Sequence, residues 1–313
     1  MKKFCNFFLF LTFVISASAQ DIEYYKKIHC QMYFNESYGE FDRNKFDIIV
    51  PKSNAPVPLV IFIHGGGFLY GDKKDFYYRD EDIQYFLENN IAIATINYRF
   101  FKPDDSLGVK ICISDVKRAL QYIKHNNKKY NIDKSLIGSY GISAGAGSSL
   151  YLAFHNDMAI SGDTSLLGES TRIKCAGAIS TQSTYNVFRW QKIIPWMRLV
   201  VLLKRKVFYN AAANFYGFPD YKSFKKYKKD ITASLDMLDM INNQSPPVYL
   251  MNLLDENFPK NDNVIQHHKK HAIAVSKKLK KYNIKNYVFT DKQAKQEKDI
   301  KYQIKEFFVD NLK

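Results

Sequence analysis

A chain of 313 residues can bury one large α/β core or divide into two domains. Its composition, 46% hydrophobic, 15% aromatic and 25% charged, excludes the collagenous and disordered classes. The formal charge of +15 is spread as lysines along expected helix faces, as at Lys277-Lys278 and Lys280-Lys281; no nucleic-acid motif stands beside them, so they read as solvated surface and no nucleic-acid partner is expected.

The chain starts with Lys2-Lys3, continues through an apolar run over 4–15 and reaches Ala17-Ser18-Ala19. A basic start, an apolar core of about a dozen residues and a small-residue cleavage pattern predict a signal peptide over 1–19, with Gln20 as the new N-terminus. The apolar run is shorter than the roughly 18 residues a membrane span needs. The expected product is periplasmic or secreted, with no stable membrane span after cleavage. Losing Lys2 and Lys3 lowers the charge from +15 to +13. Cys30, Cys112 and Cys175 remain, an odd and widely spaced set that fits neither a disulfide framework nor a zinc site. No metal and no cofactor is expected. Cys112 and Cys175 stand in apolar periodic segments and read as small core residues.

The first expected strand is Phe46-Asp47-Ile48-Ile49-Val50, closed by Pro51. After a polar turn comes a nearly unbroken apolar run over 57–63, ended by glycines. Such strands are buried on both faces, which points to a parallel sheet covered by helices. A helix near 82–88, a strand over 91–96, a helix over 111–125 and a strand over 136–140 follow, then a small-residue helix over 144–154 and a strand over 174–180. This alternation predicts an α/β fold with a doubly wound, mostly parallel sheet. Between about 181 and 245 the alternation stops, and an aromatic-rich stretch with Trp190 and Trp196 reads as a helical cap insertion, too long for a bare loop. A strand over 247–253, a helix over 264–282, a strand over 286–290 and a closing helix from about 299 complete one domain over 20–313.

Two motifs carry chemistry. Gly141-Ile142-Ser143-Ala144-Gly145 matches G-x-S-x-G between a strand and a helix, as a nucleophile elbow requires. The turn lifts the serine to the top of the sheet, and the flanking glycines avoid clashes with the neighbouring strand and helix. His64-Gly65-Gly66-Gly67-Phe68 follows the apolar strand directly. Its bare amides supply donors for a developing oxyanion, so the expected hole is the N–H of Gly66, Gly67 and Ala144. His64 reads as a structural residue rather than a base.

The two motifs in this order resemble the α/β-hydrolase superfamily, on its hormone-sensitive-lipase-like or carboxylesterase branch. Asn97-Tyr98-Arg99-Phe100 is similar to that branch's N-Y-R-L segment, and Asp115 with Ala119-Leu120 to its D-x-x-x-A-L helix. Arg99 and Asp115 read as a structural ion pair. The run from Ser143 to Leu150, with Phe154-His155-Asn156-Asp157, Ser170-Thr171-Arg172 and His267-His268, resembles a group of bacterial exported esterase-like proteins. The likeness covers about 46–308. It implies an α/β-hydrolase-type sheet with a helical cap, acting on carboxylic esters.

A serine nucleophile needs a base within hydrogen-bond reach and an acid to orient it. The resemblance puts the acid after the strand that follows the cap, which Asp255 matches first and Asp262 second. It puts the base in the loop after the last strand. That loop, 291–298, contains no histidine, and none occurs after His271. His267 and His268, at the start of an expected helix near the C-terminal edge of the sheet, are the provisional bases. The sequence therefore predicts a serine carboxylesterase for short-chain esters, with small-molecule or carbohydrate esters as substrates. Its alternative is a catalytically silent hydrolase fold that binds a ligand. Oligomeric state stays open.

Overall fold

The computed structural model describes residues 30–102, 106–256, 258, 261–290 and 300–313. The expected signal peptide and the 291–298 loop lie outside the described residues. Eight strands form one sheet: β1 (Cys30–Ser37), β2 (Lys45–Pro51), β3 (Val57–Ile63), β4 (Ala92–Ile96), β5 (Ile132–Ile142), β6 (Cys175–Ile179), β7 (Val248–Met251) and β8 (Asn286–Phe289). Their spatial order is β1-β2-β4-β3-β5-β6-β7-β8. β1 pairs with β2, and β2 with β4, antiparallel; every other neighbouring pair is parallel.

Period-two alternation divides the core. Leu59, Ile61 and Ile63 of β3 point to one side of the sheet, while Val60 and Phe62 point to the other. The helices that cover the first side are α2 (Val109–His125), α3 (Ala144–Phe154) and α10 (Lys269–Lys280). The second side is covered by α1 (Asp80–Glu88) and α11 (Ile304–Leu312), which bring Ile83, Phe86, Phe307 and Phe308 against Phe62 and Tyr140. Helices on both faces make the sheet doubly wound. Cys112 lies in the first core and Cys175 in the second, both buried.

Between β6 and β7 the chain leaves the sheet for five short helices: α4 (Met197–Leu203), α5 (Arg205–Phe215), α6 (Tyr221–Phe224), α7 (Lys228–Ala233) and α8 (Met237–Met240). Phe188, Tyr216 and Phe224 stack there in near-parallel planes. The remaining helix, α9 (Asp262–His267), follows β7 and ends where α10 begins.

Two features depart from the sequence reading. β1 stands ahead of the first expected strand, as an edge strand whose register shifts between Tyr33 and Glu36. The helix expected over 264–282 is broken into α9 and α10. His268 breaks it by adopting extended backbone, φ −58° and ψ 138°, and by accepting a hydrogen bond from the Lys270 amide on its imidazole. No helix among the described residues is long and apolar enough to cross a membrane.

Candidate active site

Ser143 sits at the end of β5 with φ 55° and ψ −115°, a left-handed conformation that costs a non-glycine residue about 1–3 kcal/mol. The bend persists because its surroundings fix it. The Ser143 amide donates to the Ile179 carbonyl of β6 at 2.9 Å. A methyl group on Gly141 or on Gly145 would land on the Ile63 carbonyl oxygen of β3, so both positions need glycine to let strand and helix close up. One turn further, Gly147 leaves room for the buried Tyr185, whose hydroxyl donates to the Ala144 carbonyl at 2.8 Å.

The glycine loop meets this bend directly. A Cβ built on Gly65 would stand 3.5 Å from the Cβ of Ser143. Gly66 and Gly67 follow with φ 99° and 61°, and the Gly66 carbonyl accepts from the amides of Leu69 and Tyr70, closing a tight turn. Among the described residues, none accepts a hydrogen bond from the amides of Gly66, Gly67 or Ala144. Three bare donors therefore belong to the glycine loop and the elbow that meet at Gly65 and Ser143, and the N-terminus of α3 there also favours negative charge through the helix dipole.

His64 supports the loop from below. Its Nδ1–H donates to the Gly65 carbonyl at 2.7 Å, Arg43 Nη2 donates to its Nε2 at 3.3 Å, and its ring stacks on Tyr98 at 4.3 Å. Burial pushes its pKa down to about 4, so it stays neutral. The Tyr98 hydroxyl donates to the His64 and Gly65 carbonyls. Next along the chain, Arg99 grips Asp115 with Nε–Oδ2 2.8 Å and Nη2–Oδ1 2.6 Å, a two-pronged pair that pins the segment after β4 to α2.

The Ser143 hydroxyl donates to His267 Nε2 at 2.8 Å. His267 is the last residue of α9, and its Nδ1–H donates to Asn263 Oδ1 at 2.7 Å, one helical turn earlier on the same face. The ring thus has one nitrogen free to take a proton from the serine and the other tied to a neutral amide. Burial alone lowers the His267 pKa to about 4.

His267 stands there because the chain around it is clamped. Asn252, fully buried just past β7, shares its amide hydrogens among the carbonyls of Thr181, His267 and His268, and its Oδ1 accepts from the Thr181 amide at 2.9 Å. Gln182 donates to the Gln266 carbonyl. His271, buried against Trp190, donates from Nε2 to the Ile265 carbonyl and accepts from the Ser183 amide and hydroxyl on Nδ1. Four polar side chains thus tie α9 to the end of β6.

The other expected site residues serve elsewhere. His268 spends both ring nitrogens, Nε2–H on the Glu256 carbonyl and Nδ1 on the Lys270 amide, so neither is open to Ser143. Asp255 turns to Lys269, with Oδ2 2.6 Å from Nζ. Asp262 opens α9 in its first turn, where a carboxylate favours the helix dipole. Neither carboxylate touches His267; Asn263 occupies that place. The signal for Asn263 was an Asn–His pair at i and i+4, but a search for acids passes over an amide. Among the described residues, no group of three His, Cys, Asp or Glu side chains could hold a metal ion.

A protein-family model, BD-FAE, matches residues 46–269. The chain belongs to the BD-FAE family. It is similar to an isoprenylcysteine alpha-carbonyl methylesterase of Arabidopsis thaliana, 27% identical over 110 residues, which cover 35% of this chain and 24% of the relative. It is also similar to a juvenile hormone esterase of Tribolium castaneum, 29% identical over 118 residues, covering 35% of this chain and 20% of that one. The chain thus spans only about a fifth to a quarter of these relatives' length. In fold, the BD-FAE chain resembles a truncated carbohydrate esterase from gut microbiota, with a TM-score of 0.62 at 17% identity, covering 91% of this chain and 97% of that one. It also resembles an acetyl ester-xyloside bifunctional hydrolase from Caldicellulosiruptor lactoaceticus, with a TM-score of 0.54 at 16% identity over 79% and 78% of the two chains. This BD-FAE protein has the α/β-hydrolase type of sheet.

Proposed function

We propose that this BD-FAE protein hydrolyses short-chain carboxylic esters through Ser143, His267 and Asn263, with Gly66, Gly67 and Ala144 as the oxyanion hole. The observation that carries the reading is the 2.8 Å hydrogen bond from the Ser143 hydroxyl to His267 Nε2, beside three bare amides. As Ser143 Oγ attacks the ester carbonyl carbon, its proton passes to His267 Nε2. The carbonyl oxygen becomes an oxyanion facing the three N–H groups. Collapse of the tetrahedral intermediate breaks the bond to the alcohol oxygen, which takes the proton from His267. A water molecule then repeats the sequence on the acyl-enzyme, releasing the acid and restoring Ser143. Asn263 holds the imidazole in the required tautomer. Unlike a carboxylate, it adds no charge to stabilise the imidazolium.

One structural neighbour named a carbohydrate esterase and another named an acetyl ester-xyloside bifunctional hydrolase, together with the leader-like first residues, favour acyl decorations on carbohydrates as the natural substrate. The export step is tested by sequencing the N-terminus of protein recovered outside the cytoplasm, which should begin at Gln20; a start at Met1 would overturn it. The chemistry is tested with chromogenic acetate and butyrate esters. Ser143→Ala should lower kcat by a factor of about a thousand or more. Equal rates in the two proteins would mean that this pocket binds but does not cleave.

A further inference from the structure

The insertion carries a surface that ester cleavage does not use. The inner side of α4 is buried: Met197 and Val201 pack with Ile194 and with Ile265 of α9. Its outer side turns Leu199, Leu202 and Leu203 to solvent, the last two 70% and 73% exposed. Trp196 before the helix is 60% exposed and Val207 after it 69%. Large apolar side chains gathered at such exposure mark a surface that is covered when it works.

The charges beside them say what covers it. Lys192, Arg198, Lys204, Arg205 and Lys206 are all exposed. No Asp or Glu occurs between Glu169 and Asp220. A second copy of the chain, docked face to face, would bring these cations against one another, with no acid in the same segment to offset them. An apolar protein groove would cover the leucines and strand the cations. A lipid surface bearing negative headgroups satisfies both sets at once: the leucines, Val207 and the indole enter the acyl boundary while the basic side chains meet phosphates.

We infer that the α4–α5 face docks on an anionic lipid bilayer. The docking surface and the site share one piece of packing, because Ile265 beneath α4 lies in α9 between Asn263 and His267. The inference goes beyond ester hydrolysis and stands without it, since lipid binding is read with no turnover.

The test is cosedimentation of the protein with phosphatidylcholine vesicles, with and without phosphatidylglycerol. Binding is expected to the anionic vesicles and to be far weaker with neutral ones. Replacing Leu202→Ser with Leu203→Ser should weaken it by about tenfold or more. Lys204→Gln, Arg205→Gln and Lys206→Gln together should weaken it on the order of a hundredfold. Hydrolysis of a soluble ester and the thermal midpoint should stay unchanged in both variants. In the wild type, tryptophan fluorescence should shift to the blue on adding anionic vesicles. In Trp196→Phe, where only the half-buried Trp190 remains, it should not, a readout that does not depend on how the leucine variant folds. Failure of the wild type to bind overturns the proposal. So does binding that survives the leucine substitutions, which would make it a matter of net charge alone. A dimer that dissociates on those substitutions, with no vesicle binding, would overturn it in favour of a second copy.

Discussion

Ser143 and the three glycines are held by backbone packing, whereas His267 is held by side-chain hydrogen bonds. On the serine side, the Ile63 carbonyl excludes any side chain at Gly141 and Gly145, and the Ile179 carbonyl takes the Ser143 amide. The placement follows from how closely β3, β5 and β6 run together. On the histidine side, α9 is six residues long and reaches the sheet through Asn252, Gln182 and His271. The sheet thus makes the proposed nucleophile and oxyanion hole an inherent part of the fold, while the proposed base depends on a small, replaceable polar clamp. A base can therefore move to a different loop of the same fold without disturbing the elbow. Here it arrives from the segment after β7 rather than after β8.

The comparison breaks most sharply at the two adjacent histidines. His267→Ala removes the proton acceptor and should lower kcat by about a thousandfold or more, with little change in the unfolding midpoint. His268→Ala removes a helix cap and the bond to Glu256. It should cost about 1–2 kcal/mol of stability while kcat stays within a few-fold. Paired ester assays and thermal melts separate the two. A catalytic loss at His268 with none at His267 would mean that the base has been misassigned.

The same division explains what was legible in the sequence. β3, β4, β6, β7 and the second half of β5 are short and apolar, so burial on both faces wrote them plainly; the first half of β5, with exposed Lys134 and Ser135, carried no such signal. The elbow and the glycine loop are local motifs whose geometry is dictated by the residues within them. β1 was missed because an edge strand is only half covered: Cys-Gln-Met-Tyr-Phe-Asn-Glu-Ser shows no unbroken apolar run, and its pairing partner is a later segment. The break between α9 and α10 was missed because Val264, Ile265, Ala272, Val275 and Leu279 are compatible with one continuous helix, and no glycine or proline interrupts it. What stops it is a histidine imidazole and an asparagine distant in sequence. His267 could be reached by elimination, but choosing it over His268, and Asn263 over Asp255, needed the backbone turn that those contacts impose.

Within the backbone-held half, Gly66 and Gly67 should respond differently. A methyl on Gly66 would strike the Tyr70 carbonyl, and φ 99° is itself unfavourable for alanine. Gly66→Ala should therefore distort the hole and lower kcat by about a hundredfold. Gly67 has open space within 4 Å of the same methyl and carries only the left-handed cost at φ 61°, about 1–2 kcal/mol. Gly67→Ala should leave kcat within a few-fold, as steady-state kinetics on both variants would record. In the other half, Asn252→Ala leaves the carbonyls of Thr181, His267 and His268 without their shared donor. It should cost about 2–3 kcal/mol and lower kcat by roughly tenfold to a hundredfold with less change in KM. Asn252→Asp should not rescue it, because a carboxylate keeps the acceptor for Thr181 but has no hydrogens to give. If Asn252→Ala moved only the melting temperature, the clamp would be structural and nothing more.

The mildest change tests the feature that sets this site apart from a Ser-His-acid arrangement. His267 must be neutral to take the serine proton. With burial holding its pKa near 4 and no carboxylate opposing that, the base stays competent as pH falls until about 4, and the acidic limb of kcat/KM should lie there. Asn263→Asp puts a negative charge against Nδ1, which favours the imidazolium and raises the pKa. Activity should then begin to fall at a higher pH. At neutral pH the same charge stabilises the imidazolium formed during attack, so kcat should rise, by only a few-fold because residue 263 is exposed and water screens the charge. A pH–rate profile of wild type beside Asn263→Asp reads both effects. An acidic limb that does not move would mean that Asn263 does not govern the protonation of the base, and the contact with Ser143 alone would have to account for the position of His267.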